Sequence, residues 1–146
     1  MPSTQTPSAR RKARNQNRTR KPSGFDQFGL KEPLNLALKA AGFTDPRPIQ
    51  LETISAGLDA RDVLGLAETG TGKTAAFALP ILHKLSRNHK DGRRRHPRAL
   101  ILAPTRELAA QIGGEFAAYG ARLHLRQIVI FGGVNQRPQV AALAHG

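Results

Sequence analysis

Ala67-Glu68-Thr69-Gly70-Thr71-Gly72-Lys73-Thr74 is the stretch on which the reading of this chain turns. The run before it, Asp62-Val63-Leu64-Gly65-Leu66-Ala67, reads as a short buried strand. The run behind it, Ala75-Ala76-Phe77-Ala78-Leu79-Pro80-Ile81-Leu82, has the length and composition of a helix. Strand, glycine-rich turn, Gly-Lys-Thr and helix make the layout of a phosphate-binding loop. Its glycines let the backbone fold into a concave nest of N–H groups, and the new helix points its positive dipole end at the same spot. Lys73 then reaches the β- and γ-phosphates as a mobile point charge, and the Thr74 hydroxyl takes one Mg²⁺ coordination position. The strict pattern has glycine where Ala67 stands, so this is a variant of the loop. The plain alternative is a glycine-rich turn that merely joins strand to helix, and the flanking elements argue against it.

Outward from the loop, 146 residues suffice for one domain with a real core. Residues 1–24 hold Arg10, Arg11, Lys12, Arg14, Arg18, Arg20 and Lys21, seven of the 23 basic residues, with no acid and almost nothing apolar. The net charge of +13 therefore divides into +7 on this arm and +6 on the rest. Such a balance points to a polyanionic partner, nucleic acid first and a membrane surface second. The arm's Arg/Ser/Thr content fits the loose description of a transit peptide. It lacks the spaced apolar residues of an amphipathic helix, so a disordered basic arm over residues 1–24 is expected instead. Cysteine is absent, which excludes disulfides and thiolate metal sites. No stretch approaches the length of a membrane span, and a cytoplasmic location is the expectation.

Residues 25–146 read as alternating elements. Residues 25–30 make a turn with two aromatics, Phe25 and Phe28. A helix over 33–41 starts at Pro33 and stops at Gly42, and a second runs from Pro48 to about Ala60. A third runs from Lys73 to about Asn88, with Pro80 inside as a kink. Residues 89–97 are a basic surface loop. A strand over 99–103 breaks at Pro104, and Thr105 caps a helix from Arg106 to about Ala118. A strand over 126–131 ends at Gly132-Gly133, and a weak helix comes next over about 137–144. Alternation of this kind implies right-handed βαβ units, hence an α/β fold with a parallel sheet. Such sheets bind ligands beyond the carboxyl ends of their strands, where Glu68–Lys73, Pro104–Glu107 and Gly132-Gly133 all fall.

Four segments in this order resemble the start of a DEAD-box ATP-dependent RNA helicase. Gly42-Phe43-Thr44-Asp45-Pro46-Arg47-Pro48-Ile49-Gln50 is similar to the adenine-reading Q motif, with Phe25 at the place of the isolated upstream aromatic. Residues 67–74 resemble motif I, Pro104-Thr105-Arg106-Glu107-Leu108-Ala109 resembles motif Ia, and Gly132-Gly133 resembles the GG element. The resemblance covers Phe25 to the end and implies the N-terminal part of a RecA-like P-loop domain using ATP and Mg²⁺. It implies an ATP site of Phe25, Gln50, Thr69, Gly70, Thr71, Gly72, Lys73 and Thr74, with Thr74 also reaching the metal. Gln50 would pair with the N6/N7 edge of adenine and Phe25 would stack on the purine, while Phe28 is read as core. On the RNA side it implies that Pro104, Thr105, Arg106, Gly132 and Gly133 meet the sugar-phosphate backbone, contacts that carry no sequence information. Glu107 is read as a structural partner.

Two positions depart from the family pattern. Arg47 stands where threonine is usual, which alters how the Q-motif loop is tied to motif I, and Glu68 replaces a common glutamine. After Gly133 there is no Thr-Pro-Gly-Arg, Asp-Glu-Ala-Asp or Ser-Ala-Thr segment. The expectation is therefore a fragment that binds nucleotide and RNA without turnover, and no catalytic residue is assigned. His83, His89, His96, His124 and His145 have no ligand spacing, so no protein-bound metal is expected beyond nucleotide-borne Mg²⁺. Another P-loop ATPase or DNA helicase, and a non-catalytic ATP- or RNA-binding module, remain the alternatives.

Overall fold

The computed structural model describes residues 24–87 and 96–144. Apart from Gly24, the basic arm lies outside the described residues, as do His89, His145 and most of the 89–97 loop. A 3₁₀ turn, Gly24–Phe28, precedes five helices: α1 (Glu32–Ala40), α2 (Pro48–Leu58), α3 (Lys73–Arg87), α4 (Arg106–Tyr119) and α5 (Gln136–Ala144). Each helix lies within two residues of its expected bounds, because the signals that mark them are local. Pro33 and Pro48 occupy first turns, where the missing N–H costs nothing. The Thr105 hydroxyl accepts from the Leu108 amide at 3.2 Å and caps α4.

The stops of α1 and α2 share one geometry. After α1, Gly42 takes φ +80°, its amide donates to the Lys39 carbonyl, and the Phe43 amide donates to that of Leu38. After α2 the same pair of bonds runs from Ala60 to Gly57 and from Arg61 to Ala56. Both are Schellman stops, whose left-handed residue is usually glycine. At α2 that residue is Ala60, with φ +64°, a conformation its β-carbon disfavours. The helix expected to reach Ala60 therefore ends at Leu58.

The core lies between helices α1 to α4. Leu34 and Leu38 of α1, Ile54 of α2 and Leu79 of α3 are each under 2% exposed, and Phe116 and Tyr119 of α4 close the cluster. Pro80 does not stop α3, which continues to Arg87. Its ring is buried against α2, where a β-carbon added to Gly57 would lie 2.9 Å from Pro80 Cγ. Glycine at 57 thus lets α2 approach the one irregular position of α3. The far end of α3 is held by cations from two other segments. Lys31 Nζ donates to the Ser86 carbonyl at 2.7 Å, and Arg98 Nη1 to the Leu85 carbonyl at 3.1 Å.

The expected strands over 62–67, 99–103 and 126–131 carry no β-ladder, and no strand is paired among the described residues. Their side chains nevertheless alternate. Leu64 and Leu66 are 87% and 83% exposed against 46% for Val63, and Leu100 and Leu102 are 81% and 83% exposed against 36% for Ile101. Val129 packs so closely on α4 that a β-carbon on Gly113 would overlap it. A side-chain period of two belongs to extended chain. One face of these segments meets the helices and the other is bare. Parallel strands occur with both faces covered, and that condition is not met here.

Burial holds the His83 imidazole below its ordinary value of 6.5, and the positive charges of Arg87 and Lys31 push it the same way. Its Nδ1 is buried without a hydrogen-bond partner. Well above pH 6.5 the group is neutral whether the chain is folded or not. Below it, the unfolded chain takes up a proton that the folded chain refuses, so stability falls with pH. The thermal midpoint should decline as pH falls through 6.5, and His83→Gln should flatten that decline. An unchanged slope in the variant would place the proton uptake elsewhere.

Candidate functional site

The phosphate loop joins the exposed segment 61–68 to the start of α3. Gly70 and Gly72 have φ of +78° and +88°, the left-handed values that a nest of amides requires. Within the loop, the Thr71 hydroxyl donates to the Glu68 carbonyl at 2.8 Å. Lys73 Nζ donates to the carbonyls of Ala67 and Glu68. Thr74 stands half-buried in the first turn of α3. Thr69 and Gly70 form the exposed bend of the loop.

The start of α2 grips this loop. Gln50 is completely buried, and both ends of its amide are used. Its Oε1 accepts from the Arg47 backbone N–H at 2.9 Å, and its Nε2 donates to the Gly72 carbonyl at 3.1 Å. Arg47, on the same turn, sends its guanidinium to the Gly70 carbonyl. A β-carbon on Gly72 would lie 2.5 Å from Gln50 Nε2 and 3.2 Å from Arg47 Cδ, so only glycine admits this contact. The Q-motif segment and motif I are therefore physically joined through residues 47, 50, 70 and 72.

Phe25 is 5% exposed and belongs to the core, with ring centroids 6.1 Å from both Phe28 and Phe43. Phe28, expected to be the core residue of the two, is the half-buried one. A cavity of about 490 Å³ opens beside Phe25, bounded by Asp26, Asn35, Lys39, Thr44 and Asp45 among others. Gln50 does not line this cavity.

A second cluster forms around Arg106. Its guanidinium carbon stands 5.9 Å from the centroid of the Phe131 ring, within cation–π range. Its Nη2 occupies the place of a Gly133 β-carbon, which would lie 2.1 Å away, and Gly133 has φ +74°. Motif Ia and the GG element are thus in contact, with Pro104, Thr105, Arg106, Gly132 and Gly133 all exposed. Gln139 of α5 secures the segment before the glycines. It accepts from the Phe131 amide at 3.1 Å and donates to the Phe131 carbonyl at 3.3 Å. Sequence reasoning placed Arg47 at the tie between the Q-motif segment and motif I without naming its partner, the Gly70 carbonyl, and it missed Gln139 and Phe131. A glutamine on a weak helix gives no signal of the backbone it will meet. Among the described residues no group of three or more histidine, aspartate or glutamate side chains could hold a metal.

The DEAD/DEAH box helicase family model matches residues 47–146. The ATP-dependent rRNA helicase RRP3 of Pyricularia oryzae is 50% identical over 119 residues, which make up 82% of this chain and 21% of that protein. The DEAD-box ATP-dependent RNA helicase RhpA of Helicobacter pylori is 45% identical over 119 residues, 82% of this chain and 23% of that one. Among solved structures, the RNA helicase Prp28 from Chaetomium thermophilum bound to ADP superposes with a TM-score of 0.76 at 40% identity, covering 84% of this chain and 30% of that one. A DEAD box protein from the hyperthermophile Methanococcus jannaschii gives 0.70 at 31% identity, covering 83% and 32%. The chain belongs to the DEAD/DEAH box helicase family. It spans between a fifth and a quarter of the length of the curated relatives named here.

Truncating Gln50 to alanine would strand the Arg47 amide and remove one bond to the Gly72 carbonyl. Gln50→Ala should therefore lower the stability of the ligand-free chain by about 1–3 kcal/mol, read by urea titration. An unchanged midpoint would show that the buried amide serves no structural purpose.

Proposed function

We propose that this chain is the nucleotide-binding part of an ATP-dependent RNA helicase, one that couples ATP hydrolysis to unwinding or remodelling of RNA. The supporting observation is the grip of Gln50 and Arg47 on the Gly70 and Gly72 carbonyls, which joins a base-reading segment to a phosphate-reading one. In this reading Thr69 to Thr74 cradle the phosphates. Lys73 exchanges its loop carbonyls for phosphate oxygens, and the Thr74 hydroxyl ligates Mg²⁺. Phe25 presents a ring to the purine from the edge of its cavity. Gln50 keeps one N–H and one lone pair beyond those already engaged, enough for the N6/N7 edge of adenine once it is uncovered. The three alternating segments become strands of a parallel sheet in a RecA-like α/β domain when a second layer covers their bare face.

The RNA surface is the Arg106 cluster. Arg106, held between Phe131 and Gly133, offers its remaining donors to a phosphate. Gly132, with open space where a β-carbon would stand, lets the backbone come close, Gly133 makes room for Arg106, and the Thr105 cap sets the start of α4 beside them. Contacts of this kind bind single-stranded backbone without reading sequence. The seven cations of residues 1–24 add a further non-specific attraction for RNA.

Two measurements test this reading. Titration with a fluorescent ATP analogue should give binding that GTP displaces poorly and that Lys73→Ala removes. Equal affinity for GTP in the intact chain would end the adenine assignment. RNA affinity should fall with salt by a log–log slope of about −0.7 per phosphate neutralised, and deleting residues 1–24 should flatten that slope. A slope that survives the deletion would put the contacts on the Arg106 surface alone.

A further inference from the structure

We propose that Arg47 is a positioning residue for polyphosphate: by holding the Gly70 carbonyl, it aims the Thr71 amide hydrogen at the side of the loop where phosphate binds. This rests on the reading of the loop as a nucleotide site and assigns a cause to its geometry.

In a trans peptide the C=O and the following N–H lie in one plane and point opposite ways. No peptide bond among the described residues is cis. Whatever fixes a loop carbonyl therefore fixes the next amide. At Gly72 the helix itself does this. The Gly72 carbonyl accepts from the Ala76 amide at 3.3 Å and from Gln50 Nε2 at 3.1 Å, so the Lys73 N–H points off the start of α3. The Gly70–Thr71 peptide has no helix to hold it. It follows Gly70, a glycine in the left-handed region whose missing β-carbon leaves the peptide free to rotate on that side. Its carbonyl is held instead by the Arg47 guanidinium, reaching from the start of α2 across Gly72. With that carbonyl drawn toward α2, the Thr71 N–H is turned away from α2 and joins the Lys73 N–H on the opposite side.

Arginine suits the task for two reasons. Its length carries it past Gly72, whose absent β-carbon leaves room for the Arg47 Cδ. Its planar, permanently charged fork makes a charge-assisted bond to a carbonyl without needing a particular pH. The base of Arg47 is fixed as well, because its backbone N–H is bound by Gln50 Oε1 at 2.9 Å. One turn at the start of α2 thus sets two alternate donors of the phosphate nest, the Lys73 amide by Gln50 through Gly72 and the Thr71 amide by Arg47 through Gly70.

The test uses the full chain and three variants, Arg47→Thr, Arg47→Lys and Lys73→Ala. Calorimetric titrations are made with Mg-ATP, Mg-GTP and inorganic tripolyphosphate, and exchange of the Thr71 amide is monitored by NMR without ligand. Arg47→Thr should weaken all three ligands by the same factor, roughly tenfold, and should speed Thr71 exchange. Arg47→Lys, whose ammonium can donate to the same carbonyl, should recover part of both effects. A loss confined to ATP would make Arg47 a base contact and overturn the proposal. A loss with Thr71 exchange unchanged would make it a direct phosphate ligand and overturn it equally. So would undiminished affinity in Arg47→Thr, with the wild type binding and Lys73→Ala not. A wild type that binds none of the three overturns the nucleotide reading itself, an outcome distinct from the failure of Arg47 alone. Should Arg47→Thr not fold, Arg47→Lys against wild type decides by the same two readouts.

Discussion

A single buried amide joins the start of one helix to the start of another, and much of the rest is arranged around it. Gln50 closes the first turn of α2 on the Arg47 N–H and spends its other end on the Gly72 carbonyl at the head of α3. Burying an amide this completely is costly unless both ends are satisfied. The pairing is therefore strict: α2 and α3 must meet with their N-termini side by side, and the phosphate loop must return to α2. Gly57 against Pro80 keeps the same two helices close one level further along. The loop inherits its shape from this packing as well as from its own glycines.

The helices were legible because their limits are written in one or two residues each. Pro33, Pro48, Thr105 and Gly42 mark ends by what their backbones can and cannot do, and the structure puts them there. The strands were legible as patterns and are absent as ladders. Periodicity reports which side of a segment is apolar, whereas pairing depends on neighbours and on a covered second face. Of two aromatics three apart in one turn, Phe25 is the more deeply buried and Phe28 is half-buried against the same cluster, a ranking that nothing local in the sequence sets. Ala60 shows a further limit, since a left-handed alanine at a helix stop is imposed by the direction in which the chain must leave the turn and carries no compositional mark.

The candidate segments of the site were legible, and the contacts between them were not. The family resemblance singled out residues 69–74, 104–106 and 132–133, and the structure brings Arg106 against Gly133 and Gln50 against Gly72. Glycine at 133 has two readings that the sequence cannot separate, room for a ligand backbone or room for an arginine. Here the arginine fills it. Arg47 looked like a departure from a pattern, and only coordinates could give it a partner, because a long flexible side chain has many possible destinations.

The two ends of α3 differ in a way that bears on its electrical role. At its C-terminal end, where the carbonyls carry the negative half of the helix dipole, Lys31 and Arg98 supply compensating charge. At its N-terminal end, Arg47, Gln50 and Lys73 all bind loop carbonyls and leave the first amides of the helix uncompensated. One pole of α3 is thus neutralised by the protein, and the other is left for an anion to neutralise. Added salt therefore acts on the two ends by separate routes, screening the cations that hold the far end and the open positive pole at the near end.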